Sequence, residues 1–177
     1  SCEKGIVPPQ SGSDVAGDDA PLFHAPGKEG FFAPLPLEEF SDGRIRCFTN
    51  VGRIVGLSLL HNLPISLAFT RPTIKFLLGR SVSWTDLAFH SPDLYENFRK
   101  LVVASASSGP DFAEASGGDL TFEVTESRAG GCAVTELRPG GAQETVTAAN
   151  VKSYVMLYAA HRMVGSIQPA LEAMRRG

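Results

Sequence analysis

The stretch that most constrains this chain is Arg44 to Asn62, RIRCFTNVGRIVGLSLLHN, whose spacing predicts one long helix. In its first half Arg46, Thr49, Asn50 and Arg53 fall on one face by the i, i+3, i+4, i+7 rule, and Phe48, Val51 and Val55 fall on another. From Ile54 to Leu60 only Gly56 and Ser58 interrupt the aliphatic residues, so the pattern predicts a central core helix with neighbours on every side. Gly52 and Gly56 each cost about 1 kcal/mol relative to alanine in a helix interior. Four residues apart, they also make a groove where a second backbone can approach closely. Leu63-Pro64 ends the helix, because proline cannot continue the hydrogen-bond ladder and disfavours helix at the residue before it.

Around this helix the other elements follow in order. Residues 1–20 are rich in Pro, Gly, Ser and Asp, with too little apolar surface to offset the entropy of ordering, and read as a flexible linker. Residues 21–37 form an extended arm whose Phe23, Phe31 and Phe32 dock it onto the core. Beyond an extended link, Thr70 and Pro72 begin a short helix ending at Gly79, with Ile74, Leu77 and Leu78 as its expected buried edge. Trp84 anchors a turn, and Ser91-Pro92 starts an amphipathic helix to Ser105 on which Leu94, Phe98, Leu101 and Val102 share a face. Residues 106–119 read as a loop. Alternation at Leu120, Phe122 and Val124 predicts a strand, Arg128 to Gly131 a turn, and Cys132 to Leu137 a second strand. Thr147 then caps a helix in which Val151, Tyr154, Val155, Tyr158 and Arg162 share a face, and Gly165 separates it from a last helix over Ile167 to Arg176. The expected class is α+β, predominantly helical, with a long buried central helix and a small β-hairpin, residues 21–177 forming one unit.

Composition excludes several functions. An apolar content of 43% in 177 residues suits one globular domain with a real core. Sixteen basic against 19 acidic residues give a net charge of -3, and the basic residues are scattered, so no nucleic-acid footprint is expected. No apolar run approaches the ~20 residues that span a bilayer, so no membrane segment is expected. Cys2, Cys47 and Cys132 form no close-spaced pair, which fits a reducing compartment, cytoplasmic or nuclear. The chain begins SCEKGIVPPQ, with neither an initiator Met nor the charged-then-apolar order of a signal peptide, as expected of a piece cut from a longer protein.

No chemistry-bearing motif emerges from spacing. A thiol catalyst would need Cys47 or Cys132 activated by His24, His61, His90 or His161, and nothing in the sequence brings such a pair together; Cys47, inside the central helix, is expected to be a buried inert thiol. The four histidines are isolated, without ligand spacing, and are expected at the surface or satisfied in the core. The glycine-rich pieces at 107–110, 116–118 and 130–131 do not join a strand to a helix as phosphate loops do. Glu123 and Glu126, three apart on a strand, point to opposite faces and read as solvated rather than as an acid/base pair. No catalytic, cofactor-binding or metal-binding residue is therefore assigned.

VGRIVGLSLLHNLPISLAFTRPTIKFLLGRSVSWTDL resembles the signature of the HECT-type ubiquitin ligases, a V/I-G-R-x-x-G-x-x-L-x-x-N helix followed by F-x-R-x-x-x-K-x-L-L-G. The resemblance continues in register through DLTFEV, ELRPGGAQETVTAANVKSYV and HRMVGSIQPALEAMRRG, and covers residues 21–177. Within the family, PGKEGFFAP, SWTDLAFHSPDLYE and PALEAMRRG are most similar to the hyperplastic-discs type.

The resemblance implies a ubiquitin-protein transferase that takes ubiquitin from a conjugating enzyme as a cysteine thioester and passes it to lysines of protein substrates. It places this chain in the large subdomain of the N-lobe, a structural platform. The small subdomain that holds the conjugating enzyme and the lobe with the Thr-Cys nucleophile are not among these residues, so the segment is expected to be inactive alone, with no cofactor. Some members hold a second ubiquitin non-covalently on this subdomain, and Tyr95 occupies the position of an aromatic in that contact. The rival expectation is a non-enzymatic helical interaction module that binds a partner peptide through the aromatic arm, Phe23 to Phe32.

Overall fold

The computed structural model describes residues 20–106, 112, 116, 117, 120–128 and 131–177. The linker expected over 1–20 therefore lies almost wholly outside the described residues, as do most of the loop at 106–119 and the tip of the turn at 129–130.

The long helix forms as α1, Asp42–Leu60. Ser41 caps it, its hydroxyl accepting from the amide of Arg44 at 3.2 Å, and Asp42 places a negative charge where the helix dipole favours one. At the other end Asn62 takes a left-handed φ of 52°, and the amide of Leu63 reaches back to the carbonyl of Ser58 at 2.8 Å. The chain thus turns off the helix just before Pro64.

The arm before α1 folds into strands that are too short to show period-2 alternation in sequence. β1 (Phe23–His24) pairs antiparallel with β2 (Phe31–Pro34), and β2 pairs parallel with β3 (Ala68–Phe69) from the link after α1. A three-stranded sheet, order β1-β2-β3, stands where only extended segments were expected. Arg44 ties the arm to α1: its buried guanidinium donates to the carbonyls of Ala20 at 2.7 Å and Pro21 at 2.8 Å.

Next come α2 (Arg71–Leu77), a 3-10 turn at Trp84–Asp86, α3 (Leu87–His90) and α4 (Pro92–Ala104). Of the buried edge expected for α2, only Leu77 packs inward, against the smaller apolar cluster described below. Pro72 and Thr73 are buried, whereas Ile74 and Leu78 are 44% and 62% exposed, because α2 turns its first turn inward, where the Thr70 and Thr73 hydroxyls bond each other at 3.0 Å. The expected hairpin forms from β4 (Glu123–Arg128) and β5 (Gly131–Glu136), antiparallel with Val124 opposite Thr135. Before β4 the chain turns from the hairpin: the Phe122 carbonyl still accepts from the amide of Leu137 at 2.8 Å, but its amide bonds the carbonyl of Gly141 at 3.0 Å, and Thr121 bridges Thr145. A 3-10 turn (Gly141–Gln143), α5 (Val151–Met163), another 3-10 turn (Gly165–Ile167) and α6 (Gln168–Arg176) complete the chain.

Two apolar clusters hold these elements. The larger joins Leu87, Phe98, Leu101, Phe122, Tyr154, Val155 and Met163. Its rings interlock, Phe98 edge-on to Tyr158 with centroids 5.0 Å apart and Phe122 edge-on to Tyr154 at 5.6 Å. The smaller joins Phe48, Phe69, Ala170, Ala173 and Met174, with Phe23 from the arm edge-on to Phe48 at 5.6 Å. Here α6 lies against α1 at the first groove glycine: a Cβ on Gly52 would stand 2.0 Å from the Met174 carbonyl oxygen.

Past Gly52 the expectation of a wholly enclosed α1 fails. Ile54, Leu57, Leu59 and Leu60 are 58%, 55%, 71% and 73% exposed. The arm and α6 cover the first half of α1 and reach Val55 in the second, while Ile54, Leu57, Leu59 and Leu60 pack into neither apolar cluster. Apolar character on every side marked the intention to bury this helix, but not which part of the molecule does so.

Candidate functional site

Tyr95 lies one turn into α4 and is half-buried, packed against the larger cluster. Its ring stacks on Trp84, centroids 5.4 Å apart and planes inclined by 24°. Trp84 is fixed in turn by a capping box, in which Ser83 and Asp86 satisfy each other's backbone amides. Asp86 is 2% exposed and receives Lys75 Nζ at 2.7 Å, Arg71 Nε at 3.2 Å and the Ser83 amide at 2.9 Å. Burial alone raises the Asp86 pKa, but the hydrogen bonds from Lys75 and Ser83 outweigh it and hold the carboxyl below its usual range. The chain of support runs from α2 through Asp86 to Trp84 and Tyr95, so Tyr95 presents a partly exposed aromatic edge from a rigid mount. Trp84 is the packing anchor expected from sequence.

A second polar cluster was not foreseen. His90, at the end of α3, is 5% exposed, and its Nδ1 has no hydrogen-bond partner; the same holds for the buried Nδ1 of His24 on β1. Burial, the neighbouring His24 and Arg162 push the His90 pKa down to about 3, and burial with Arg162 also lowers that of His24. Both rings are therefore neutral near pH 7. His90 is a core histidine whose Nδ1 is unsatisfied, contrary to expectation, whereas His24 is half-buried and hydrogen-bonded to the backbone at Ala33 and Pro34. Arg162 on α5 donates to Glu126 Oε1 at 3.2 Å, with His161 Nε2 3.6 Å from the same oxygen. Glu126 is 8% exposed, so the solvated strand face expected for it is wrong: β4 packs that side chain against α5. The available signal was Arg162 itself, a charged residue on the apolar face of its helix.

The remaining candidates are dispersed. Cys47 is exposed rather than buried, because Phe48 takes the inward position on α1 and its neighbour points out. Cys2 lies outside the described residues. Arg53 is exposed and bonds Asn50 Oδ1 at 3.1 Å. In the arm, Phe23 is committed to the smaller cluster while Phe31 is 40% exposed. Among the described residues no three His, Cys, Asp or Glu side chains are grouped to hold a metal, and no helix is long and apolar enough to cross a membrane. The described residues offer a supported aromatic surface and a polar interior in which the Arg162–Glu126 ion pair lies near His90 and His24.

Comparison with known proteins gives this scaffold its context. The family model described as HECT-domain (ubiquitin-transferase) matches residues 13–177. The chain is 38% identical over 165 residues to the E3 ubiquitin-protein ligase hyd of Drosophila melanogaster, a match covering 92% of this chain and 6% of that protein. It is 32% identical to the E3 ubiquitin-protein ligase HUWE1 of Mus musculus, covering 86% of this chain and 3% of HUWE1. It is 30% identical to the E3 ubiquitin-protein ligase HACE1 of Gallus gallus, covering 93% of this chain and 17% of HACE1. The chain thus spans a small part of the length of each relative, and the higher identity to hyd agrees with the resemblance to the hyperplastic-discs type. With the family model running through both apolar clusters, α1 and the hairpin, the chain belongs to the HECT-domain (ubiquitin-transferase) family.

Proposed function

We propose that this chain is the large subdomain of a HECT N-lobe, the platform of an E3 ligase that accepts ubiquitin from a conjugating enzyme as a cysteine thioester and transfers it to lysines of protein substrates. The observation that supports this is the family match over 13–177, in which the helix, strand and turn motifs occur in the family's order. Its partners are then a conjugating enzyme, ubiquitin and substrates, and its compartment the cytoplasm or nucleus, in keeping with three cysteines that form no close-spaced pair. No residue of this chain is assigned to the thioester; its part is to carry the elements that form it. The test is to mix the complete polypeptide with a charged conjugating enzyme and look for a reductant-sensitive ubiquitin adduct, which this chain alone will not form. No adduct with any of a broad panel of conjugating enzymes overturns the proposal.

Tyr95 is proposed as a contact for a second, non-covalent ubiquitin. Its partial exposure and its mount on Trp84 support this role. Titrating labelled chain with ubiquitin will perturb resonances around Tyr95 at millimolar concentration, and Tyr95→Ala will abolish the perturbation. Perturbation elsewhere only, or none, removes Tyr95 from that role.

A further inference from the structure

Arg71, the first residue of α2, is held on two sides and open on a third. Its Nε lies 3.2 Å from Asp86 Oδ1, and its guanidinium carbon stands over the Phe89 ring, 4.9 Å from the centroid. Among the described residues no other acceptor is bonded to this guanidinium, and the side chain is 54% exposed. Asp86 does not depend on Arg71 for its charge balance. Lys75 Nζ reaches its Oδ2 at 2.7 Å, and the Ser83 amide donates to the same oxygen at 2.9 Å. Two cations thus face one buried carboxylate, and the surplus positive charge sits on Arg71, the more exposed of the two. Phe89 is itself 53% exposed, so Arg71 covers only part of the ring. The arm brings a second ring nearby: Gly27 packs against the Phe89 carbonyl, and the half-exposed Phe31 lies opposite Ala68, just before α2. Lys28 stands 5.8 Å over Phe31, and the adjoining exposed Glu29 offsets its charge, so the surplus at this surface remains that of Arg71.

We infer that Arg71 and Phe89 form a docking point for an acidic segment of a partner protein, in which an Asp or Glu side chain meets the free edge of the guanidinium and a neighbouring apolar side chain covers Phe89. The inference makes no use of Tyr95 and does not depend on the ligase reading. A guanidinium is planar and presents its donors as a fixed fork that matches a carboxylate. Held at Nε by Asp86 and on its face by Phe89, this one has already given up much of the rotamer freedom that binding would otherwise remove. A surplus of one charge fits one carboxylate. A nucleic-acid strand needs several cations along its path, whereas the basic residues of this chain are scattered and its net charge is -3. A bare anion would leave the Phe89 ring in water, and an apolar side chain next to the acid removes it.

Titrating the isotope-labelled chain with a synthetic peptide of interleaved glutamates and leucines tests this, read from the Arg71 Nε–H resonance and the amides of α3. Both will move, and a counterpart peptide with glutamine in place of glutamate will bind about tenfold or more weakly, as loss of a charge-assisted pair requires. Arg71→Gln will abolish the shifts, and it leaves Asp86 paired with Lys75, so the fold is kept. Arg71→Lys will not restore them, because an ammonium has no fork. Phe89→Ala, which spares the ion pair of Arg71 with Asp86, will weaken binding about fivefold. Equal binding of the two peptides overturns the inference, since carboxylates are then not read. Binding by Arg71→Lys equal to that of the parent chain also overturns it, since diffuse charge alone then suffices. So does a thymidine oligonucleotide that moves the same resonances at lower concentration than the peptide, which would make nucleic acid the occupant. Inorganic phosphate that displaces the peptide at or below the peptide's own concentration overturns it as well, by making the site one for a free anion.

Discussion

The two apolar clusters are built on different principles, and they respond differently to change. In the larger, bulky rings from α4, α5 and the segment entering β4 fill space: Phe98, Phe122, Tyr154 and Tyr158 meet edge to face around Leu87 and Met163. Burial pushes the Tyr154 and Tyr158 hydroxyl pKa values upward, as expected of an interior closed to water. In the smaller, α1 and α6 approach through Gly52, Ala170 and Ala173, and Phe23 from the arm and Phe69 from the link gather with Phe48 of α1 and Met174 of α6. The first cluster is held by side-chain volume, and the second by side-chain volume together with close backbone approach. The first is complete within this chain, while the second stops halfway along α1.

Removing volume from the complete cluster should therefore have the largest effect. Phe98 is 1% exposed and contacts both Tyr154 and Tyr158. Phe98→Ala will destabilise the chain by about 3–5 kcal/mol, the range for truncating a buried phenylalanine. Urea denaturation measures it. A loss below about 1 kcal/mol would show that the cluster is loosely packed and that the contrast is wrong.

In the smaller cluster the sensitive change is an addition. Gly52→Ala gains about 1 kcal/mol in helix propensity. Against this, the new methyl would overlap the α6 backbone at Met174, whose nearest atom is a carbonyl rather than a flexible side chain that can move aside. Overpacking of this kind costs about 1–3 kcal/mol, and here the helices must separate, so Gly52→Ala will lower stability on balance. A Gly52→Ala chain that melts at or above the parent temperature would mean that α6 is not seated on α1 as described.

How legible these regions were in the sequence follows from the same contrast. The helices of the larger cluster were readable because Leu94, Phe98, Leu101 and Val102 repeat at helical spacing, and the hairpin because its turn interrupts two alternating runs. The groove at Gly52 was readable as a groove, though its occupant was not, since the contact between Gly52 and Met174 joins residues more than a hundred positions apart. The sheet β1-β2-β3 was missed because strands of two to four residues have no period to detect, and its parallel β2-β3 pair joins segments on either side of α1. Exposure of Ile54 to Leu60 was missed for a different reason: hydrophobicity records what a helix must bury, and the covering element need not be nearby in sequence. Tyr95 was placed by its motif, while its support through Trp84 and Asp86 became visible only in three dimensions.

The seam between the two regions makes the most condition-dependent prediction. His24 belongs to the arm and His90 to α3, and the chain at Gly27 passes so close to His90 that an added Cβ would stand 2.7 Å from its carbonyl oxygen. The charged and titratable groups facing this pair are Arg162 and each other, Arg162 being already engaged by Glu126 beside His161. The His90 pKa lies near 3 in the fold against 6.5 in the free side chain, so between those values the unfolded chain binds more protons than the folded one. Stability consequently rises with pH across that window: the contribution is complete above about 6.5 and is lost progressively as pH falls. At pH 5 the loss from His90 is about 2 kcal/mol, with a further loss of the same sign from His24, whose pKa is also lowered. His90→Leu will flatten the dependence between pH 7 and pH 5, as read from urea midpoints at constant ionic strength. Because arm and α3 meet at this seam, hydrogen exchange at pH 5 will quicken first in β1 and β2 and last around Phe98 and Tyr154. Uniform quickening across both clusters would show that they open as one unit, and that the difference in how they are built does not divide the chain into separable parts.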